Sequence, residues 1–349
     1  MMTSHATHTT QAKLAEPTPD RDALMQTFIR ESGFAEHTLE PIAGDASRRR
    51  YVRVITPRTS YMVMDAPPTL EPISDYIAVC SFLFDQGYSA PRIIAKDSET
   101  GFLLLEDLGD DLFSSMLSHG AHQTEEETLY SEAIDLLATW HTTSNMQRGS
   151  AAIDLPLYSH STLMREVELF ADWYLPEVAA EKYSTLANEV LNIWRRILIK
   201  APLADCYFVH RDFHASNLLW LPQRKALSRV GLLDFQDAVW GDPAYDLASL
   251  LEDARRDVAP ELAQRMLKRY VDLTGQPTAL LKERYAILAA QRNMKIIGIF
   301  HRLNQRDNKP AYLEFLPRVW VHLQNDLAHP ALTELRKWMD ASIPLDWRR

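Results

Sequence analysis

His210-Arg-Asp-Phe-His-Ala-Ser-Asn217 is followed at short range by Leu232-Leu-Asp-Phe-Gln-Asp237, and the two stretches together decide the expected fold and chemistry. ATP-dependent phosphoryl transfer needs an Asp that accepts the proton of an attacking hydroxyl. It also needs an Asn five residues on that holds magnesium, and a second Asp that bridges metal and phosphates. Asp212 fits the catalytic position, and Asn217 and Asp234 fit the metal positions. Tyr207, Phe208 and Val209 form an apolar run able to lead a strand into a turn, and residues 218–221 form a second strand. The polar residues between them are therefore expected on a loop held at both ends. After a turn over 222–229, residues 230–233 predict a third strand that delivers Asp234 beside that loop. Two carboxylates and a carboxamide are hard oxygen ligands and suit Mg2+, which keeps waters and phosphate oxygens in its shell.

His210, Asp212 and His214 stand at alternate positions and offer a competing arrangement, a transition-metal site on a strand. It would leave Asn217, the second apolar strand and the Leu-Leu-Asp-Phe stretch without a purpose, so phosphoryl transfer is preferred. His210 and Arg211 are expected to hold the loop, and His214 is unassigned.

With Gly241-Asp-Pro-Ala-Tyr-Asp-Leu-Ala248 added, these blocks resemble the aminoglycoside phosphotransferase and choline kinase superfamily over most of the chain. The resemblance implies an α+β, two-lobed protein-kinase-like fold, with a small antiparallel-sheet N-lobe and a larger, mainly helical C-lobe. It also implies ATP and Mg2+ as cofactors, and an Asp246 that points from its helix toward the catalytic loop as a structural residue. Gly44-Asp-Ala-Ser-Arg-Arg-Arg-Tyr51, Met62-Val-Met-Asp-Ala-Pro-Pro68 and Gln291-Arg-Asn-Met-Lys-Ile-Ile-Gly-Ile-Phe300 are similar to the bacterial N-acetylmuramate/N-acetylglucosamine anomeric kinases of cell-wall recycling. That similarity implies a small-molecule amino-sugar substrate. Aminoglycoside, choline and homoserine remain alternative acceptors, and a nucleotide-binding pseudokinase scaffold is the alternative from another class.

The chain departs from the superfamily pattern in two places. Gly44-Asp-Ala-Ser has one glycine where a phosphate-draping loop has several, although backbone N–H groups and the Ser47 hydroxyl are still available to phosphates. Arg49, Tyr51 and Arg53 alternate onto one strand face, with Arg50, Val52 and Val54 on the other. An arginine stripe over the nucleotide and a solvated outer face are both open for them. The strand lysine expected near Met64 is absent. Either Arg49 or Arg53 compensates, or nucleotide is bound without catalysis; retention of Asp212, Asn217 and Asp234 favours an active enzyme.

The predicted organisation is a tail over 1–20, an N-lobe over 21–104, a hinge over 105–108 and a C-lobe over 109–349. A helix over 22–32, strands over 39–42, 49–55 and 60–65, a helix over 74–86 and a hairpin of 93–96 with 101–105 make up the small lobe. The apolar run stops at Glu106 and Leu108 without a turn of its own, as in kinase-like hinges that offer backbone groups to the adenine edge. In the C-lobe, 128–142 carries an apolar stripe, and Asp242-Pro243 is a helix start. Arg292, Lys295, Arg302 and Arg306 share one face of a late helix. A solvated basic face is the default for them; the alternative is that Lys295 or Arg302 meets a substrate anion such as the lactyl carboxylate. Asp237 and Trp240 are placed to contact a sugar by hydrogen bonding and stacking.

Composition sets outer bounds. The 349 residues, 46% of them hydrophobic, suit two lobes, and no apolar stretch is long enough to cross a bilayer. A formal charge of −10 argues against nucleic acid, whose phosphates need a basic face. Cys80 and Cys206 have neither metal nor disulfide spacing, which suggests a reducing, cytoplasmic location. Nothing in the sequence sets an oligomeric state.

Overall fold

The computed structural model describes residues 20–42, 49–70, 72–118 and 123–348. The tail 1–19 and the turn 43–48, including Ser47, lie outside them. The chain divides into two compact units, one comprising the described residues up to Ile73 with Ile94–Glu106, the other Ser74–Ile93 with the residues from Asp107 onward.

In the smaller unit, Asp20 caps helix α1 (Arg21–Glu31) by accepting the amides of Asp22 and Ala23. Strands β1 (Thr38–Pro41), β2 (Arg50–Ile55), β3 (Ser60–Asp65), β4 (Ile93–Asp97) and β5 (Phe102–Glu106) form a sheet in the order β1-β2-β3-β5-β4. Alternation puts Val52, Val54, Val63, Phe102 and Leu104 on one face, where they pack with Met25, Phe28 and Ile29 of α1. Gly101 takes φ 81°, and a Cβ there would lie 2.0 Å from the Ala66 carbonyl oxygen, so the turn into β5 admits only glycine. Asp65, 4% exposed, receives both Arg21 and Arg50.

The larger unit contains α2 (Ser74–Asp85), α3 (Phe113–Ser118), α4 (Gln123–Thr142) and α5 (His160–Leu169). A π-helical turn over Phe170–Tyr174 then runs into α6 (Leu175–Ala179), followed by α7 (Tyr183–Lys200). After the short strands β6 (Tyr207–Val209), β7 (Leu218–Trp220), β8 (Val230–Leu232) and β9 (Val239–Gly241) come α8 (Ala244–Leu251), α9 (Pro260–Thr274), α10 (Thr278–Asp307), α11 (Leu316–Asp326) and α12 (Thr333–Ser342). Helix α2, expected in the small lobe, belongs to this unit instead. Its aromatic residues explain why: Tyr76 packs on Phe235 at 5.0 Å and Phe82 on Phe208 at 6.1 Å between ring centroids.

Two antiparallel ribbons frame the motif. Strand β6 pairs with β9, setting Phe208 opposite Trp240, and β7 pairs with β8, setting Leu218 opposite Leu232. The chain between β6 and β7 is thus anchored at both ends, and β8 leads straight into Asp234.

Helices α5 and α10 meet at Gly298, where a Cβ would lie 2.3 Å from the Leu169 carbonyl carbon and 2.5 Å from the Phe170 nitrogen. No side chain fits without parting the helices. Gly298→Ala should therefore destabilise the fold by about 2–3 kcal/mol, read by denaturant unfolding; an unchanged midpoint would contradict this contact.

Candidate active site

The loop after β6 is held by one carboxylate. Asp242 starts α8 by accepting the Ala244 amide at 3.0 Å, and one turn on Asp246 lies fully buried. Its two oxygens accept the backbone amides of His210 at 2.7 Å and Arg211 at 2.9 Å. With both amides satisfied, Arg211 adopts φ 76°, a left-handed conformation that costs a non-glycine residue about 1 kcal/mol or more. The residue after that turn is Asp212.

Asn217 links the two halves of the motif. Its Nδ2 donates to the Asp212 carbonyl at 2.9 Å, and its own carbonyl accepts the Leu233 amide at 3.0 Å. Committing Nδ2 leaves Oδ1 as the amide atom able to face a cation. Asp234, next after Leu233, is exposed, has φ 59°, and receives Gln236 Nε2 at 2.9 Å. Oxygen donors on a strained, solvent-facing turn fit magnesium. Among the described residues no group of three or more His, Cys, Asp or Glu side chains converges as a metal centre, so His210, Asp212 and His214 do not form the alternative site.

Burial opposes ionisation of Asp212, but the charges of Lys295, His214, Arg211 and His210 outweigh it and hold the carboxyl below its ordinary range. Burial also lowers both histidines to about 4, leaving them neutral near pH 7. Lys295 and Arg211 therefore carry the effect. Burial pushes Asp246 up to about 7 against the two amides that favour its charge.

Lys295, on α10, does not lie on a solvated basic face. Its Nζ is 3.0 Å from Glu166 Oε1 and 3.1 Å from the Tyr245 hydroxyl, while Arg292 is buried and donates to the Glu252 carbonyl at 3.2 Å. Arg306 at the helix end is exposed and pairs with Asp307. Arg302 has Arg306 and Asp307 as its charged neighbours and is not gathered at the loop with Asp212. Trp240 requires a correction: its side chain is 2% exposed and packs edge-on to Phe208, so the ring is core and not a platform for a sugar. Asp237 is exposed, and its carbonyl accepts Arg211 Nη1 at 3.4 Å.

In the smaller unit, Arg49 is 7% exposed and Arg53 half-buried, so neither stands on an open outer face. Arg53 sits between Glu40 of β1 and Met62 of β3 in the register. Met64, where a lysine was expected, is fully buried, and the Tyr51 hydroxyl donates to its sulfur at 3.4 Å. Arg50 stands opposite Asp65 in the register and pairs with Asp65 and Asp22. Glu106 closes β5 opposite Tyr61, and Leu108 lies in the larger unit near Gly231.

Sequence inspection missed Glu166, Tyr158 and Gln291, which surround Lys295 and Arg211. One signal was available: Gln291 and Lys295 stand four residues apart on a helix, a spacing that puts them on the same face.

Residues 38–281 match the model of a family described as phosphotransferase enzymes. An N-acetylmuramate/N-acetylglucosamine kinase of Caulobacter vibrioides is 37% identical, with 95% of this chain and 99% of that protein covered. One of Pseudomonas aeruginosa is 36% identical over 92% of this chain and 94% of its own. Among solved structures, a choline kinase of Streptococcus pneumoniae superposes with a TM-score of 0.63 at 17% identity, covering 88% of this chain and 99% of that one. It has also been solved in complex with AMP.

The unfolded imidazole titrates near 6.5, so the neutral, buried forms of His210 and His214 favour the native state above that pH. The contribution is lost as pH falls toward about 4. Nitrogen-15 NMR of the rings should show both still neutral at about pH 5.5; charging of either near 6.5 would contradict the burial.

Proposed function

The chain belongs to the phosphotransferase enzyme family, and from that premise we propose that it transfers the terminal phosphoryl group of ATP to the anomeric hydroxyl of N-acetylmuramate or N-acetylglucosamine. The observation that carries this is the loop geometry: Asn217 ties the Asp212 backbone to the residue preceding Asp234. This stands in a chain 37% identical to a kinase of those two sugars. The likeness to choline kinase supports the fold alone.

Asp212 orients the acceptor hydroxyl and takes its proton. A carboxyl held below its ordinary range is a weak base, which is sufficient where little proton transfer precedes a loose phosphoryl transition state. The anomeric hydroxyl is the most acidic on the sugar and asks least of that base. Asn217 Oδ1 and the Asp234 carboxylate would hold Mg2+, which when bound neutralises charge on the phosphate oxygens. For the nucleotide, the proposed contacts are the backbone at Glu106 and Leu108 for adenine, and Ser47, Arg49 and Arg53 for the phosphates in place of the absent lysine. Lys295 supplies positive charge on the acceptor side, and Asp237, exposed after the metal Asp, is the proposed hydrogen-bonding contact to the sugar.

The proposed compartment is the cytoplasm, where ATP is available. Both Cys80 and Cys206 are free thiols, and among the described residues no helix is long and apolar enough to cross a membrane.

ATP-dependent phosphorylation of N-acetylmuramate, N-acetylglucosamine and their methyl glycosides tests the proposal. Both free sugars should give product and neither glycoside should, because its anomeric oxygen is blocked. Comparable product from a glycoside would place the phosphate elsewhere on the sugar.

A further inference from the structure

Glu166 of α5, 8% exposed, has all four of its close partners in one unit of the protein. Its Oε1 receives Arg211 Nη2 at 2.5 Å and Lys295 Nζ at 3.0 Å. Its Oε2 receives the Tyr158 hydroxyl at 2.5 Å and Gln291 Nε2 at 3.1 Å. Among the described residues the Asp212 carboxylate, by contrast, takes no hydrogen bond or ion pair, although Lys295 is the first of the positive charges acting on it. Two cations and two carboxylates thus occupy one pocket, with both cations committed to the carboxylate that does no chemistry.

That division has a cause in the fold. Glu166 lies one turn before Leu169, and Lys295 one turn before Gly298, where the backbones of α5 and α10 come so close that no Cβ fits between them. The crossing therefore fixes Glu166 against Lys295. Tyr158 and Gln291 then fix the carboxylate itself, so the lysine meets an acceptor that is already oriented.

Resting on the phosphoryl-transfer role given above to Asp212, we infer that Glu166 is a positioning residue that holds Lys295 and Arg211 away from Asp212 and keeps its carboxylate open to the acceptor hydroxyl. Without a negative charge at 166, Asp212 is the next carboxylate whose charge acts on the flexible lysine. An ion pair formed there caps the base, because the oxygen that must accept the hydroxyl proton is occupied by an ammonium group.

The test uses the full-length enzyme with N-acetylglucosamine, which lacks a carboxylate, so that any binding of a substrate anion by Lys295 does not enter. Glu166→Gln keeps the shape and removes the charge. Its kcat should fall about 100-fold, with KM for ATP and sugar within about threefold of wild type. Adding Lys295→Met removes the capturing cation and should raise kcat about tenfold above Glu166→Gln alone. A purely structural Glu166 gives losses that accumulate. A double variant no faster than Glu166→Gln, or a loss confined to KM, would overturn the inference. Should Glu166→Gln not fold, Tyr158→Phe removes a single hydroxyl donor to Glu166 and carries the same test: a smaller kcat loss, again relieved by Lys295→Met. Absence of sugar phosphorylation by the wild-type enzyme would count against the proposed function alone. The crystal structure of Glu166→Gln then decides separately: Lys295 Nζ at hydrogen-bond distance from the Asp212 carboxylate supports the inference, and Lys295 unmoved overturns it.

Discussion

The buried carboxylate of Asp246, accepting the amides of His210 and Arg211, is the constraint on which the site depends. A left-handed residue such as Arg211 persists only where the surroundings over-determine it, and two hydrogen bonds accepted by one side chain of a rigid helix do so here. Because α8 starts at Asp242-Pro243 and is buried throughout, Asp246 has little freedom, and its fixed position passes to the loop. Asn217 then carries the order on to Leu233, so the groups on either side of the two ribbons are fixed relative to one another without a regular element between them.

The parts of this arrangement that were legible in the sequence were those fixed by local chemistry. Tyr207, Phe208 and Val209, and the apolar run after Asn217, announced strands because short apolar runs bounded by polar loops are hard to bury otherwise. The spacing of Asp212, Asn217 and Asp234 follows from one loop and one ribbon. What was not legible depends on distant packing. Periodicity placed α2 as a helix but did not say which unit would take its aromatic side chains. Trp240 follows a metal-type Asp and reads as a sugar platform until Phe208 is seen across the ribbon. Glu166 is one Glu on an unremarkable amphipathic stretch. Only the crossing of α5 and α10 at Gly298 turns it into the partner of two cations.

The absent strand lysine has a local counterpart in the structure. The position taken by Met64 lies inside a sheet whose opposite face is valine and phenylalanine, and the Tyr51 hydroxyl is already directed at its sulfur. A lysine ammonium group there would be buried beside the Tyr51 phenol with no carboxylate from the neighbouring strand positions, since Asp65 is committed to Arg21 and Arg50. Methionine at this position thus avoids an otherwise uncompensated buried charge.

The account reduces to the claim that Asp212 acts on the acceptor hydroxyl and not on the nucleotide. Turnover of Asp212→Asn, measured alongside its affinity for magnesium-ATP, tests this most directly. The account predicts a fall in kcat of about a thousandfold or more, with nucleotide affinity within about twofold of wild type. Turnover within about tenfold of wild type, or loss of nucleotide binding in step with activity, would contradict it.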